Sequence, residues 1–333
     1  MLRGLAVLLL LGCARSAPPS SNTPIPPRSK PAACIDAGCE GERCTPFVIA
    51  SGQQEVSTVF ANEHFVAWQR REMPSGIPIG IRARSWTSTK IVAVGAELKS
   101  TYDYGVIAAG DFLYACSYDR LVRVAPFGGA TRTLADQAHC TAIAKDGDRV
   151  AWATDSGVVH VLAGDKDTIV AKIDGYVSVL SLSGDTVVAH TSGCHAIISL
   201  EGHTHICRED LPESATVFGS DLFLVERYLE PGPYNEKQGT HGSTLEAIVH
   251  TSLLPEAPRV RLAGKQISAS GLRKIGGRVY WQDGGIYDNP VVLRRVTLPS
   301  GPVEDVLWPK GHSTLTEHCA VWVDDGKIVA LPL

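Results

Sequence analysis

One pattern recurs seven times along this chain: a short apolar strand that follows a polar or glycine-containing turn. The repeats end at Trp68, Ala115, Trp152, Ala189, Val225, Trp281 and Trp322. Successive repeats lie 47, 37, 37, 36, 56 and 41 residues apart, about 42 on average. A near-constant period of this length is typical of architectures in which each unit packs against its neighbours. This period constrains the fold more than any other feature of the sequence.

Each period predicts four short strands. In the third repeat the predicted strands are 142–144, 149–153, 158–162 and 168–171, and Gly, Asp and Ser lie in the turns between them. Short segments rich in Val, Ile and Leu with such turns indicate β-hairpins. No segment has a sustained helical period. We therefore predict an all-β fold in which each repeat is one four-stranded blade of a β-propeller.

The two ends of the chain predict how the ring closes. A predicted outer strand lies nineteen residues before each of five repeat ends, and the same offset before Trp68 reaches Ile49, which has no blade before it. The last repeat stops at 327–331 without an outer strand. We expect residues 46–50 to complete the last blade, which gives seven blades and removes exposed edges. Six blades with one degenerate repeat is the main alternative, and a β-sandwich leaves the period unexplained.

The sixth repeat carries a family resemblance. It reads Arg-Val-Tyr-Trp-Gln-Asp over 278–283, followed by Leu-Arg-Arg-Val at 293–296. This segment resembles the YWTD and WD40-like repeats of β-propellers, including extracytoplasmic bacterial ones. Only Trp281 lies in a full Tyr-Trp-x-Asp context, and the other repeats keep only Trp or a small residue. The resemblance covers residues 45–333 and implies a fold that hosts binding scaffolds, hydrolases, lyases and redox enzymes alike.

The N-terminus predicts export and a lipid anchor. Residues 1–12 have the features of a signal peptide, and the apolar stretch 5–11 is too short to span a bilayer as a helix. Leu-Leu-Gly-Cys at 10–13 resembles the lipobox of bacterial lipoproteins, which implies acylation of Cys13 and an extracytoplasmic, membrane-anchored protein. Ala14 after the cysteine favours the outer membrane, and an ordinary secretory signal is the alternative. Residues 13–33 hold this cysteine and a Pro- and Ser-rich tether, and 46–333 hold the propeller.

Eight cysteines remain after Cys13, an even number that fits up to four disulfides in an oxidising compartment. Cys194 and Cys207 flank a predicted hairpin, so we expect them to pair. Three more cysteines crowd the segment 34–45, at 34, 39 and 44. We expect two of these to pair with each other and the third to reach the ring. A zinc knuckle is the alternative, although the spacing lacks a C-x2-C pair.

Three predicted connections between the second and third strands of a blade are long. They cover 69–78, 226–246 and 282–291 in blades 1, 5 and 6. Blades 5, 6, 7 and 1 are neighbours in a closed ring, so these connections would rise over one sector of one face. The candidate partner-binding residues there are Arg70, Arg71, Tyr228, Tyr234, Lys237, His241, Tyr287, Asp288 and Asn289. Arg and Tyr are enriched at interface hot spots, whereas the alternative interpretation is insertions that a surface tolerates.

The remaining candidate residues are histidines, cysteines, aspartates and tryptophans, and we interpret them as parts of the fold and not as a site. His203, His205 and Cys207 alternate on one predicted strand, a pattern that permits metal binding. The expected disulfide removes Cys207 from such a set, so we predict no metal site and no cofactor. Asp283 and the aspartates at 155, 324 and 325 lie in blade turns, where Asp is favoured for local hydrogen bonding. The recurring tryptophans are expected to pack in the core.

The overall charge balance argues against nucleic acid as a partner. There are 31 Lys and Arg against 35 Asp and Glu, a formal charge of −4. The sequence contains no nucleophile elbow, phosphate loop, zincin motif or dinucleotide fingerprint. We therefore predict an envelope lipoprotein whose propeller binds a protein or glycan partner at the long-loop face. The alternatives are a hydrolase or lyase that uses carboxylates and His241 near the axis, and a structural component of an envelope assembly.

Overall fold

A computed structural model describes most of the chain between residues 39 and 333. The described residues are 39–40, 43–53, 55–71, 75, 78–94, 105–117, 119–128, 131–136, 139–201, 204–209, 211, 214–235, 240–254, 256–284, 291–307, 309, 313–316 and 318–333. The predicted signal peptide, Cys13 and the tether lie outside them. Within them the secondary structure is strands and turns without helix, as predicted, and no segment forms a helix suited to crossing a bilayer.

Thirty strands form one short hairpin and seven four-stranded sheets. The hairpin pairs β1 (Cys39–Glu40) with β2 (Arg43–Cys44). Blades 1 and 2 comprise β4 (Val56–Ala61), β5 (Phe65–Arg71), β6 (Pro78–Ser85) and β7 (Val92–Val94), then β8 (Val106–Ala109), β9 (Phe112–Cys116), β10 (Arg120–Val124) and β11 (Thr131–Asp136). Blades 3 and 4 comprise β12 (Cys140–Asp146), β13 (Arg149–Thr154), β14 (Val158–Ala163) and β15 (Lys166–Lys172), then β16 (Val179–Ser183), β17 (Thr186–His190), β18 (His195–Ser199) and β19 (Thr204–Arg208).

The remaining blades follow the same order. Blades 5 and 6 comprise β20 (Ser214–Phe218), β21 (Asp221–Asn235), β22 (Thr240–Ser252) and β23 (Val260–Gln266), then β24 (Ala269–Ile275), β25 (Arg278–Asp283), β26 (Val292–Thr297) and β27 (Val303–Leu307). Blade 7 takes three strands from the C-terminus and one from the N-terminus: β28 (Ser313–Leu315), β29 (Cys319–Asp324), β30 (Lys327–Pro332) and β3 (Phe47–Ala50).

The ring closes as the sequence predicts. β3 pairs antiparallel with β30, with Phe47 opposite Ala330 and Val48 opposite Val329. The seven sheets form a seven-bladed β-propeller, so the six-bladed alternative is wrong. Because the last blade contains the first strand of the ring, its pairing joins the two ends of the chain and leaves no unpaired seam between blades.

The core lies between neighbouring sheets. Strand residues that alternate in the sequence point to opposite faces of each sheet, and apolar residues occupy both faces. The cluster between blades 3 and 4 includes Val159, Val187 and Ile198, all fully buried. Trp68 and Trp281 are fully buried in the clusters between blades 7 and 1 and between blades 5 and 6. Trp152 and Trp322 are buried as well, so the four recurring tryptophans lie in the core, as predicted.

Disulfides hold the ring at three places. Cys194 and Cys207 are bonded within blade 4, which confirms the predicted pair. Cys116 and Cys140 join blade 2 to blade 3, a pairing that the sequence analysis did not single out. Cys319 of blade 7 is also disulfide-bonded, as is Cys44.

Candidate functional site

The two faces of the ring differ in their connections. In each blade the hairpin between the first and second strands opens on one face, which we call the turn face. The connection between the second and third strands opens on the opposite face, together with the link from the outer strand to the next blade; we call this the loop face. On the loop face, blades 3 and 4 have short connections at 155–157 and 191–194, whereas blade 5 extends far beyond the ring.

Blade 5 carries an extension that the sequence analysis predicted as a loop over 226–246. That prediction is wrong in form: β21 and β22 stay paired from Glu226 opposite Ala247 out to Asn235 opposite Thr240. We call residues 226–235 and 240–246 the ribbon. Its strands are longer than any others in the described chain, at 15 and 13 residues. A paired ribbon is better ordered than a loop of equal length, because its backbone groups bond to each other.

A bulge accommodates Pro231, Gly232 and Pro233 within the first strand of the ribbon. The register shifts between Glu230 and Tyr234, so these three residues stand opposite Gly242 alone. Gly242 has φ +91°, and a Cβ built on it would lie 2.2 Å from the carbonyl oxygen of Glu230. Only glycine fits this position without displacing backbone. The Pro and Gly residues that suggest a loop in the sequence are therefore accommodated inside a strand pair.

Tyr228 anchors the base of the ribbon to the outer strand of blade 5. Its hydroxyl accepts a hydrogen bond of 2.8 Å from the backbone N–H of Lys265, and the Arg261 guanidinium lies 5.1 Å from its ring centre. Lys265 Nζ and Glu230 Oε1 are 2.7 Å apart, and this hydrogen bond raises the pKa of Lys265. Tyr228, one of the predicted partner-binding residues, is half-buried, and these contacts tie the base of the ribbon to blade 5.

The opposite side of the ribbon presents an exposed aliphatic residue. Leu229 is 56% exposed and points to the side of blade 5 that faces blade 6, as do Phe223 and Val225 lower in the same strand. Beside it, Arg227 Nε donates to Glu246 Oε1 at 3.1 Å, and the Arg227 side chain is largely exposed. Leu229 is not among the partner-binding residues predicted from the sequence, because alternation places it on the same side of β21 as the buried Phe223 and Val225.

The other predicted partner-binding residues are only partly described. Arg70 forms an ion pair of 3.7 Å with Glu55, and the exposed Arg71 donates its backbone N–H to Glu55 O at 2.9 Å. Tyr234 and His241 face each other as a backbone pair in the ribbon, and their side chains lie outside the described part. Four further predicted residues also lie outside it: Lys237, Tyr287, Asp288 and Asn289. The structure therefore pairs the backbones of Tyr234 and His241 in blade 5, and the proposed sector stays a prediction.

Blades 1 and 6 share a buried polar arrangement that sequence reasoning missed. Gln266 Oε1 accepts hydrogen bonds from Trp281 Nε1 at 3.0 Å and from Arg294 Nη1 at 2.9 Å. Gln53 Oε1 accepts the equivalent bonds from Trp68 Nε1 at 3.1 Å and Arg82 Nη1 at 3.2 Å. In both cases Gln precedes Trp by 15 residues, a spacing that could have revealed the pair.

Each of these glutamines also donates to the backbone carbonyl group two residues before it, where the chain approaches its blade on the loop face. Gln266 Nε2 donates to Gly264 O at 2.6 Å, and Gln53 Nε2 donates to Ser51 O at 2.9 Å. In blade 6 the buried Asp283 also accepts the backbone N–H groups of Ile267 and Ser268, which agrees with the structural role predicted for it. Blades 1 and 6, the two neighbours of blade 7, thus share a hydrogen-bonded arrangement of Gln, Trp and Arg.

The histidines and cysteines of blade 4 do not form a metal centre within the described residues. No group of three His, Cys, Asp or Glu there is placed to hold an ion, and Cys194 and Cys207 are consumed by their disulfide. The rings of His190 and His195 lie 4.4 Å apart at the loop-face end of the blade. The side chains of His203 and His205 lie outside the described residues.

The axis of the ring encloses a cavity of about 350 Å³. Inner strands of all seven blades line it, mostly with apolar and hydroxyl side chains. Two cations, Lys145 and Arg273, belong to the lining, and no carboxylate does among the residues that the structure describes. The alternative of an enzyme with carboxylates at the axis therefore finds no such group in this lining.

Comparisons with known proteins agree on the fold. No protein-family model and no curated protein matches the chain. Its structure is similar to the WD40 β-propeller domain of Doa1, with 10% identity over 86% of this chain and 96% of that one, at a TM-score of 0.57. An oligogalacturonate lyase in complex with manganese has 10% identity, with 86% and 93% covered, at a TM-score of 0.56. YCF48 bound to D1 peptide has 8% identity, with 87% and 94% covered, at a TM-score of 0.54. At these identities the likeness establishes a β-propeller and nothing finer.

Proposed function

We propose that this protein is a recognition scaffold that binds a protein partner through the loop face, with the blade 5 ribbon as its main contact. The observation that carries the proposal is the ribbon itself. It extends a core blade by paired strands, is anchored by Tyr228 and Lys265, and presents Leu229 beside Arg227. A rigid support that carries an exposed apolar residue among charges is the chemistry of an interface centre with a polar rim.

The fold comparison supports a protein or peptide as the partner class. One similar propeller is the YCF48 structure with a bound D1 peptide, and another is a WD40 domain. Preorganised strands lose little conformational entropy on binding, which favours affinity from a small contact area. The predicted candidates Arg70, Arg71, Tyr234, Lys237, His241, Tyr287, Asp288 and Asn289 belong to the same proposed surface.

We further propose that the scaffold acts at the bacterial cell envelope, held by a lipid on Cys13. The lipobox-like Leu-Leu-Gly-Cys sequence and the Pro-rich tether support this placement. A Cys13→Ser variant tests it. We expect the wild-type chain to incorporate labelled fatty acid and to sediment with membranes, and the variant to do neither. Membrane association of the variant equal to that of wild type would contradict the anchor.

A pair of matched substitutions tests the binding face. Leu229→Asp places a charge on the ribbon, and Ile169→Asp places the same charge on an outer strand of blade 3, where Ile169 is 61% exposed. Both variants and wild type are crosslinked in intact cells and purified. We expect the wild type and Ile169→Asp to capture the same protein, and Leu229→Asp to capture at least about tenfold less, as for an interface hot spot.

The outcomes separate the possibilities. Equal capture by both variants would contradict the ribbon as the contact. A captured species that carries carbohydrate and no protein would replace the protein partner with a glycan. Loss of capture by both variants would place the interface on the rim of the disc, away from the ribbon.

A further inference from the structure

Two disulfides of the ring differ in their exposure to solvent. Cys116 and Cys140, which join blades 2 and 3, are both fully buried. Cys207 is exposed on β19, the outer strand of blade 4, and its partner Cys194 is half-buried in the short connection at 191–194. Solvent therefore reaches the Cys207 end of one disulfide in the folded ring, whereas the other disulfide is enclosed.

Backbone pairing holds the strand that carries Cys207. β18 and β19 pair at five positions, with residues 195–199 opposite 204–208. Cys207 lies opposite Ala196 inside this ladder, so the ladder fixes its backbone position. Cleavage of the sulfur bond therefore leaves Cys207 in the same strand and the hairpin paired.

The connection that carries Cys194 is closed by hydrogen bonds of the buried Thr191. The backbone N–H and the hydroxyl of Thr191 donate to Cys194 O at 2.9 and 3.1 Å. The backbone N–H of Cys194 donates to Thr191 Oγ1 at 3.2 Å. The Cα atoms of Cys194 and Cys207 are 5.7 Å apart, and other bonds hold both segments there. The two sulfurs therefore stay close enough to bond again after cleavage.

The disulfide between blades 2 and 3 lacks both properties. Cys116 belongs to β9 and Cys140 to β12, and these strands lie in different sheets. A thiol in solution reaches an enclosed disulfide only when part of the structure opens. We therefore expect the Cys116–Cys140 bond to resist reagents that open the Cys194–Cys207 bond.

We propose that the Cys194–Cys207 disulfide is a thiol-exchange site for a low-molecular-mass thiol, with Cys207 as the attacked residue. The thiolate of the small molecule attacks Cys207 Sγ and forms a mixed disulfide there, and the electron pair of the broken S–S bond leaves on Cys194 Sγ. Attack by Cys194 on the mixed disulfide reverses the step and releases the small thiol. Attack by a second small thiol releases the small-molecule disulfide instead, so two thiols supply the two electrons that reduce both cysteines. This chemistry requires neither the ribbon nor its protein partner.

Reduced glutathione is the probe that tests the site. The full mature chain is incubated with increasing glutathione, quenched with acid and alkylated, and mass spectrometry quantifies the state of each cysteine. Cys116–Cys140 is the matched control within the same molecule. We expect Cys194–Cys207 to open at glutathione concentrations at least about tenfold lower, with the circular dichroism of the chain unchanged. Opening of Cys116–Cys140 at the same or a lower concentration, or opening of Cys194–Cys207 only with loss of the folded signal, would overturn the proposal.

Two single variants test which sulfur is attacked. Cys194→Ser leaves Cys207 as a thiol, and Cys207→Ser leaves Cys194 as a thiol. With oxidised glutathione we expect Cys207 to form the mixed disulfide at least about tenfold faster than Cys194 does, because exchange depends on access to the sulfur. Equal rates, or a faster reaction at Cys194, would overturn the assignment of Cys207. The comparison of the two disulfides in wild type needs neither variant, so it decides the site even where a variant does not fold.

Discussion

Blades 3 and 5 have the same strand order, and their middle strands differ in length. The middle strands of blade 3 have six residues each and are joined by 155–157. Those of blade 5 have 15 and 13 residues, and all of the extra length lies on the loop face. In blade 5 the fully buried Leu222 and Leu224 lie below the ribbon, and the exposed Leu229 lies on it. The first part of β21 therefore packs within the ring, and the second part forms one strand of the ribbon.

β21 therefore has a buried part in the ring and an exposed part on the ribbon, where we place the proposed recognition surface. Apolar side chains below Val225 pack against neighbouring blades, where each contributes about 1.5–3 kcal/mol by burial. Beyond that point Tyr228 supplies the described apolar packing, and the pairing of the ribbon comes from its own backbone. A change on the ribbon should alter binding with little effect on folding, and a change below it should do the reverse.

The largest expected effect comes from two leucines five residues apart. Leu224→Ala leaves a cavity between blades 4 and 5 and should lower the free energy of unfolding by about 2–5 kcal/mol. Leu229→Ala should change it by less than about 0.5 kcal/mol. Urea unfolding measures both. Similar losses of unfolding free energy in the two variants would contradict the separation of the ring from the ribbon.

A second prediction uses the disulfide that blade 3 has and blade 5 lacks. Cys116 and Cys140 lie 24 residues apart in the sequence, and their disulfide joins blades 2 and 3. Replacing both with alanine should cost about 3 kcal/mol, because the unfolded chain gains freedom. The midpoint of urea unfolding reports this loss, whereas capture of the partner at the ribbon should be unchanged. A folded double mutant that no longer captures the partner would show that the ribbon depends on distant blades.

A third prediction compares the side chains that accept the indole N–H of two tryptophans, one beside blade 5 and one in blade 3. Gln266, at the end of blade 5, bonds Trp281 of blade 6, whereas Asp167 bonds Trp152 within blade 3 at 3.4 Å. Gln266→Met leaves a buried indole N–H unpaired and should cost about 1–3 kcal/mol. Asp167→Asn, at a partly exposed contact, should cost less than about 1 kcal/mol. Denaturant unfolding measures both losses of stability. A larger loss for Asp167→Asn than for Gln266→Met would contradict the role given to Gln266.

The smallest expected effect is a pH dependence in blade 3. His160 stacks on Trp152 with ring centres 3.9 Å apart, and burial lowers its pKa although Asp167 opposes this. The folded state thus favours the neutral ring, so stability present at neutral pH falls as the pH drops below the ordinary histidine value of about 6.5. His160→Phe should flatten the loss of Tm between neutral pH and about pH 5. An unchanged slope would show that His160 does not contribute.

The repeat period in the sequence predicted the fold because it depends on short-range features of each repeat. Apolar alternation and the turns at Asp146–Gly147 or Gly184 are set within a few residues, and the count of repeats follows from them. The closing strand 46–50 was predictable since the last repeat lacks a partner. The ribbon was not, because Pro231 and Gly232 indicate a loop and only the pairing across the bulge to Gly242 preserves the strands.

The site was less predictable than the fold. Tyr228 was selected as a contact residue from the sequence, and the hydrogen bond from the Lys265 backbone to its hydroxyl was not foreseen, because Lys265 lies 37 residues away in the sequence. Leu229 was passed over because exposure depends on where the blade ends and the ribbon begins. Lys145 and Arg273 line the same cavity only because seven inner strands come together, and no local pattern contains that information.

The most direct test of the central claim is envelope crosslinking with a chain whose residues 229–244 are replaced by a short glycine-containing turn after Tyr228. We expect this chain to unfold at the same urea concentration as wild type and to capture no partner at the loop face. Capture equal to that of wild type would contradict the ribbon as the recognition surface. Collapse of the unfolding transition would contradict the separation of ring and ribbon on which the account rests.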